Sequence, residues 1–308
     1  MNDCRRVAGF DPKSAKHTVN RWIAGETERA AAAITGAIEA YKFNEAATAA
    51  YEFVWGTVCD WYLELTKPII AGSDDTAKAE AQAMTAWVLD QSYALLHPFM
   101  PFITEELWAR TGEFAADVGG HPKPQASAPK RDTLLALSQW PALSGLADRQ
   151  ADAEIGWLIR LISEVRSVRS EMNVKPSAKL PLVISGASDE TRERAARHID
   201  TILRLAGGER ITFEAAPPKG SAQLVVDEAT VALPLAGVID MAVERKRLEK
   251  ALAGVQSDLA KMDAKLGNPN FISRADPDAI AETNERKAEL LGQRAKLEAA
   301  VKRVGDAA

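Results

Sequence analysis

The chain has 308 residues, enough for two or three domains with cores of their own, and its 43 acidic against 38 basic residues leave a formal charge of −5. That balance excludes a protein that coats nucleic acid indiscriminately, but it leaves room for a specific RNA binder with its cations gathered on one surface. Two cysteines, Cys4 and Cys59, exclude a four-cysteine zinc site; with no membrane-length apolar run and no recognisable signal peptide, a cytoplasmic protein is expected.

Residues 1–20 read as a short lead-in, with Asp11 or Ser14 placed to start a helix. An alanine-rich helix is expected from about Thr18 to Ala40, with Trp22, Ile23, Ala30, Ile34 and Ile38 inward. The helix expected to organise the rest runs from Tyr41 to Pro68. Phe43, Ala47, Ala50, Val54, Val58, Trp61 and Leu65 step by three and four onto one face, which Tyr51, Trp55 and Tyr62 widen. So much aromatic surface predicts a helix buried on more than one side, with other helices around it. Asn44 is its expected N-cap, and Pro68 its end or kink. Asp60 lies between Cys59 and Trp61, where an ionised carboxylate needs a partner. The structural choice is an arginine or a backbone amide; the functional one is an arginine that binds nucleic acid.

Ala71-Gly72-Ser73-Asp74 breaks the pattern, and Asp74 or Asp75 caps a third helix reaching Leu96. Pro98 and Pro101 bracket a turn, after which Thr104-Glu105-Glu106 opens a short helix closed by Trp108. His97 reads as a structural hydrogen-bonder, since no nucleophile or second ligand accompanies it. Residues 111–139 are expected to be loop-like, least ordered over 119–124. A long helix then spans roughly Arg149 to Met172, with Ile155, Leu158, Ile159, Ile162, Val165 and Met172 as its apolar stripe. Arg169 falls inside that stripe and Arg166 beside it. A buried guanidinium requires either an acid (Asp60, Glu105 or Glu106) or an anionic ligand such as an RNA phosphate.

After Pro176 the period becomes that of strands, at 180–186, 210–216, 222–228 and 229–237, with a hairpin turn at Asp227-Glu228 and helix over 188–205. From Asp240, Leu248, Leu252, Val255, Leu259, Met262 and Leu266 form a heptad seam. Gly267-Asn268-Pro269-Asn270 stops that helix, and Asp276-Pro277 starts another. The second helix offers Ala281, Ala288, Leu291 and Ala295, widened by Leu290, Leu297, Val301 and Val304. Folded back as a hairpin, the seam pairs Leu252 with Ala295, Leu259 with Ala288 and Leu266 with Ala281. Lys261 and Arg286 then lie level, flanking the seam with their charges free, on an arm about 40 Å long at the α-helical rise. The expected fold is mainly α: a helical bundle over 1–176, a small α/β module over 177–239, and an antiparallel two-helix coiled-coil arm over 240–308. A structural scaffold that dimerises through 240–304 is the rival, which the break at Gly267 opposes.

No catalytic constellation is present: there is no P-loop, no Gly-x-Ser-x-Gly and no metal-ligand cluster, and His17, His97, His121 and His198 stand apart. Neither a metal nor a cofactor is expected for this chain. The run FNEAATAAYEFVWGTVCDWYLELTKP (43–68), followed by LLHPFMPFITEELW (95–108), resembles the anticodon-binding bundle of class I aminoacyl-tRNA synthetases. IRLISEVRSVRSEMNVKPSAKLPLVI (159–184) and KLGNPNFISRADPDAIAETNERKAEL (265–290) are similar to the C-terminal α/β module and coiled-coil arm of the valyl branch. The cysteine-ligated zinc module common in isoleucyl enzymes cannot be built from two cysteines.

The family's His-x-Gly-His and Lys-Met-Ser-Lys-Ser signatures are missing, so the resemblance is to the C-terminal third of such an enzyme, starting at an internal methionine. It implies a monomeric fragment, inactive alone, of an enzyme that joins valine to tRNA(Val) with ATP; an isoleucyl or leucyl fragment is the nearer rival. The same resemblance makes Lys261, Lys265, Arg286 and Lys287 on the arm, and Arg160, Arg166 and Arg169 on the helix after the bundle, the expected tRNA-binding residues.

Overall fold

The computed structural model describes residues 4–7, 9–113, 133–235, 241–268 and 277–307. The chain divides into two units, Met1–Ile159 and Arg160–Ala308. No described helix is long and apolar enough to cross a membrane.

The first unit is helical. Asp11 caps a single 3-10 turn, Pro12–Ser14, through the Lys13 amide, and α1 (Thr18–Glu39) follows with Trp22, Ile23 and Ile34 buried. From Phe43 the chain is helical without a break to Ala71. It begins as α2 (Phe43–Tyr51), widens to i→i+5 hydrogen bonding over Glu52–Tyr62, and returns to α-helix in α3 (Leu63–Ala71). Helix α4 (Asp75–Leu96) opens on Asp74, whose carboxylate accepts from the Thr76 and Ala77 amides, as its sequence position predicts. Helix α5 (Pro101–Glu113) starts at its proline and runs past Trp108. The proline belongs in the first turn, where a missing N–H costs nothing, and Thr104 bonds back to the Met100 carbonyl instead of capping.

The middle helix departs from its reading in four ways. Its buried line is Ala46, Ala50, Phe53, Val58, Tyr62 and Leu65, while Phe43, Tyr51 and Trp55 face solvent, so the helix is buried on one side. The five-residue step from Phe53 to Val58 is one turn of the widened segment, and it moves the inner face off the three-and-four spacing used to read it. Asn44 lies within the first turn, and the N-cap is Lys42, which makes no capping side-chain bond. Pro68 is carried inside α3.

What fixes this face is a buried polar chain. Tyr62 Oη, fully enclosed, donates to Asn20 Oδ1 at 3.1 Å and lies 3.2 Å from Thr85 Oγ1. Asn20 Nδ2 donates to Glu80 Oε1 at 2.8 Å, and Glu80 also accepts from the Lys16 and His17 amides at the start of α1. Three helices therefore share one network.

Helix α6 (Arg149–Glu171) supplies residues to both units, and its expected stripe is buried apart from the half-buried Ile159. In the second unit, β1 (Leu180–Ser185), α7 (Asp189–Arg197), α8 (Ile199–Ala206), β2 (Gly208–Glu214), β3 (Ser221–Val226) and β4 (Ala229–Pro234) make a four-stranded sheet with two helices. Its order is β2-β1-β4-β3, with β1 and β2 parallel and the other pairs antiparallel. The β3–β4 turn falls at Asp227-Glu228 as expected, with Asp227 at φ 52. Glu228 accepts from the Ser188 amide, the Ser188 hydroxyl and the Thr191 hydroxyl, tying that turn to the start of α7.

Helices α9 (Met241–Leu266) and α10 (Pro277–Ala307) pack side by side. The turn expected over 270–276 lies outside the described residues, as do residues 119–124. On α10 the inward line is Ile280, Thr283, Lys287, Leu290, Arg294, Leu297, Val301 and Val304; Ala281, Ala288 and Ala295 are exposed. Two seven-residue stripes compete on this helix, and the one with larger side chains buries more apolar area. The expected leucine–alanine pairing is therefore replaced by contacts such as Lys287 to Asp263 at 2.7 Å and Lys265 to Thr283 at 3.3 Å.

Tyr62→Phe should leave Asn20 Oδ1 buried without its donor and cost about 1–3 kcal/mol in chemical denaturation, with far-UV circular dichroism unchanged. In the second unit the Ser188 and Thr191 hydroxyls, then the Ser188 amide, hold the Glu228 carboxyl down at about 2. A depressed carboxylate stabilises above its unfolded pKa and loses that contribution as pH falls toward the folded value. Glu228→Gln should therefore flatten the decline in stability between about pH 5 and 2, by on the order of 1 kcal/mol once solvent screening is allowed for.

Candidate nucleic-acid interface

Among the seven expected cations, the structure separates those held by the fold from those at its surface. Arg169 is 8% exposed, and its guanidinium donates to the carbonyls of Ala178 at 2.8 Å, Gly207 at 3.3 Å and Lys175 at 3.4 Å. The acids named for it are engaged elsewhere or exposed. Glu105 caps a second 3-10 turn, Leu135–Leu137, through the Leu135 and Ala136 amides, Glu106 pairs with Arg110, and Asp60 is exposed. An exposed Asp60 has no desolvation cost to offset, which removes the reason for expecting a buried pair. The close approach of Arg169 also explains Gly207. This residue caps α8 at φ +68, and a Cβ there would stand 3.0 Å from the guanidinium carbon.

Arg166 donates through Nε to the Leu205 carbonyl at 2.8 Å, near the same end of α8. Arg160, one helical turn and more away, forks onto Asp227 in the β3–β4 turn with bonds of 3.0 and 2.9 Å. Both remain exposed.

On α9 and α10 the four cations sort by what they bridge. Lys287 and Lys265 reach across to the other helix, to Asp263 and Thr283 respectively. Lys287 occupies the inward line and carries its amine out along its alkyl stem. Lys261 and Arg286 are exposed but not bare: each pairs at 2.7 Å within its own helix, with Asp258 and with Glu289. Lys261 first, and Arg286 in addition, hold the Asp258 carboxyl below the usual range, which brings these two cations around one acid. Exposed pairs three residues apart contribute a few tenths of a kcal/mol, so a phosphate can displace them at little cost. Lys261 and Arg286 are thus open to exchange, whereas Lys265 and Lys287 help hold the helices together.

The first unit has a cleft of about 290 Å³ where Arg6 lies 3.5 Å from Asp90, leaving its charge compensated. His97 is a structural hydrogen-bonder as expected, with Nδ1 at 2.8 Å from Thr104 Oγ1. Sequence reasoning missed the solvent-facing aromatic row Phe43, Tyr51 and Trp55. The signal was present: Glu52 and Asp60 accompany that row, and carboxylates mark a wet face. Among the described residues, no group of three His, Cys, Asp or Glu side chains could hold a metal ion.

Residues 20–184 match a family model described as the anticodon-binding domain of tRNA ligase, and residues 240–305 match one described as the valyl tRNA synthetase tRNA binding arm. A valine–tRNA ligase of Caulobacter vibrioides is 49% identical over 305 residues, covering 99% of this chain and 32% of the relative. Those of Agrobacterium fabrum and Rhizobium meliloti are 46% and 48% identical, each over the whole of this chain and 31% of its own length. The chain spans about a third of the length of the curated relatives it matches.

Arg169→Met should lower the stability of the second unit by about 3 kcal/mol, because it strips charged donors from partly buried carbonyls. Gly207→Ala should act in the same direction through the same contact. Urea titration of both variants, followed by circular dichroism, checks this.

Proposed function

Because the chain belongs to the anticodon-binding domain family of tRNA ligases, we propose that it is the tRNA-binding C-terminal region of a valine–tRNA ligase. The observation that carries the reading is the succession, in one chain, of a bundle matched over 20–184 and a tRNA-binding arm matched over 240–305. In this reading residues 1–176 bind the anticodon stem-loop of tRNA(Val), residues 177–239 are a connecting module, and residues 240–308 are a coiled-coil arm against the outer corner of the tRNA. The chain works as a monomer. The complete ligase joins valine to the tRNA at the expense of ATP, whose phosphates are held by parts of the enzyme other than this chain.

RNA readers hold the backbone through Lys and Arg and read unstacked bases by stacking and hydrogen bonds. Lys261 and Arg286 supply the first kind of contact. Each exchanges an exposed carboxylate for a phosphate, so the gain is mainly the release of counterions from the RNA. Arg160 and Arg166 lie on the helix that leaves the bundle and add exposed guanidinium groups. Arg169, with its donors on three carbonyls, supports the backbone near them.

The test is a pair of substitutions on the arm. Lys261→Ala with Arg286→Ala should weaken binding of tRNA(Val) and of other tRNAs to a similar degree. It should also reduce the slope of log affinity against log salt by about 1–2, as for one or two lost phosphate contacts. Melting and helix content should not change. Filter binding at several salt concentrations reads this, and parental affinity at every salt would overturn the role of the arm.

A further inference from the structure

The middle helix of the first unit turns a row of aromatic rings toward solvent. Phe43, Tyr51 and Trp55 are 56%, 62% and 57% exposed. Tyr51 and Trp55 stack with centroids 6.5 Å apart and planes within 10°, and Tyr41 meets Phe43 edge-on at 6.3 Å. Soluble surfaces seldom leave several large rings together without a partner for them. The widened Glu52–Tyr62 segment contributes to the row, because its five-residue turn places exposed Asp60 one turn beyond Trp55. Such expansions of a helix concentrate at functional positions.

The charge around the row selects the kind of partner. Between Tyr41 and Ala71 the only cations are Lys42 and Lys67, and both are tied to neighbouring acids, Glu45 and Glu64. Glu52 and Asp60 remain as exposed carboxylates along the rings. A face with that balance repels a phosphate backbone. It suits a protein surface that brings an apolar patch and a Lys or Arg.

Resting on the reading of the chain as part of a valine–tRNA ligase, we infer that this aromatic and acidic row is the seat of the rest of the ligase polypeptide. The matched segment is about a third of each relative, so roughly two thirds of such a chain is there to supply the covering surface. Trp55 and Tyr51 are the apolar anchors of the contact, and Asp60 and Glu52 its charged edge.

The experiment joins this chain, as one polypeptide, to the part of the Caulobacter vibrioides relative that precedes the matched segment. Hydroxyl-radical oxidation at Tyr51 and Trp55 is then compared with that of the chain alone. Oxidation should fall about threefold or more in the joined protein, as for side chains moved into the core of an interface. Asp60→Lys should restore most of it by opposing a basic counterpart. Unchanged oxidation in the joined protein overturns the inference. So does protection of Trp55 in the chain alone, whether by a single-stranded RNA oligonucleotide or by raised protein concentration, since the face would then belong to RNA or to a second copy. A further arm needs no joined protein: Trp55→Ala in the chain alone should leave its melting temperature unchanged. A marked fall would make the ring part of the unit's own core and overturn the inference as well. Arm-dependent tRNA binding, measured in parallel, reports separately on the proposed function.

Discussion

The first unit depends on one half-buried carboxylate and the polar groups it satisfies. Burial pushes the Glu80 carboxyl toward the neutral form, yet bonds from Asn20, Lys16 and His17 outweigh it and hold the group below its usual range. Glu80 thereby satisfies two amides at the start of α1 and orients Asn20, which accepts from Tyr62. Any sliding of the middle helix along α1 or α4 would leave a buried donor or acceptor without a partner, at a cost far above that of sliding an apolar contact. The network therefore sets the rotation of the middle helix, and with it which aromatic rings face water.

The second unit uses a similar device with the sign reversed. A guanidinium, Arg169, gathers carbonyls from Gly207 and from the Lys175 to Ala178 turn, where a left-handed glycine admits it. Farther along, Arg303 pairs with Glu171 and Arg247 donates to the Glu171 carbonyl, which ties both α9 and α10 to the end of α6. Buried or bridging charges serve the fold, and those paired only along their own helix are left for exchange. Lys261 and Arg286 are of the second kind. The distinction rests on where each partner lies, because the side-chain types are the same.

Several features were legible in the residues themselves. The cap at Asp74, the proline start of α10, the four strands and the turn at Asp227-Glu228 all stand where they were read. Each depends on a residue and its near neighbours: a short acceptor side chain at a helix start, a ring that fixes φ, alternation on a strand. The apolar stripe of α6 was equally plain, since its large aliphatic residues follow one uninterrupted period. The family resemblance carried by 43–68, 95–108 and 265–290 was readable for the same reason, being written in local runs of sequence.

What only the tertiary structure decided is which of several possible faces is used. Phe43, Tyr51 and Trp55 were assigned inward and face solvent, whereas Val58, Tyr62 and Leu65 are buried as read and Phe53 joins them across the five-residue step of the widened segment. On α10 the stripe of Ala281, Ala288 and Ala295 was preferred to the stripe through Leu290, Leu297 and Val304 that is buried. Arg169 was read correctly as enclosed, but its partners are carbonyls rather than an acid. Period and capping arise from φ/ψ preferences and contacts within a few residues, and so the sequence by itself determined the elements. The phase of a face and the partner of a charge arise from competition among surfaces distant in the chain, where larger apolar area and complete hydrogen bonding win; that competition exists only once the chain has folded.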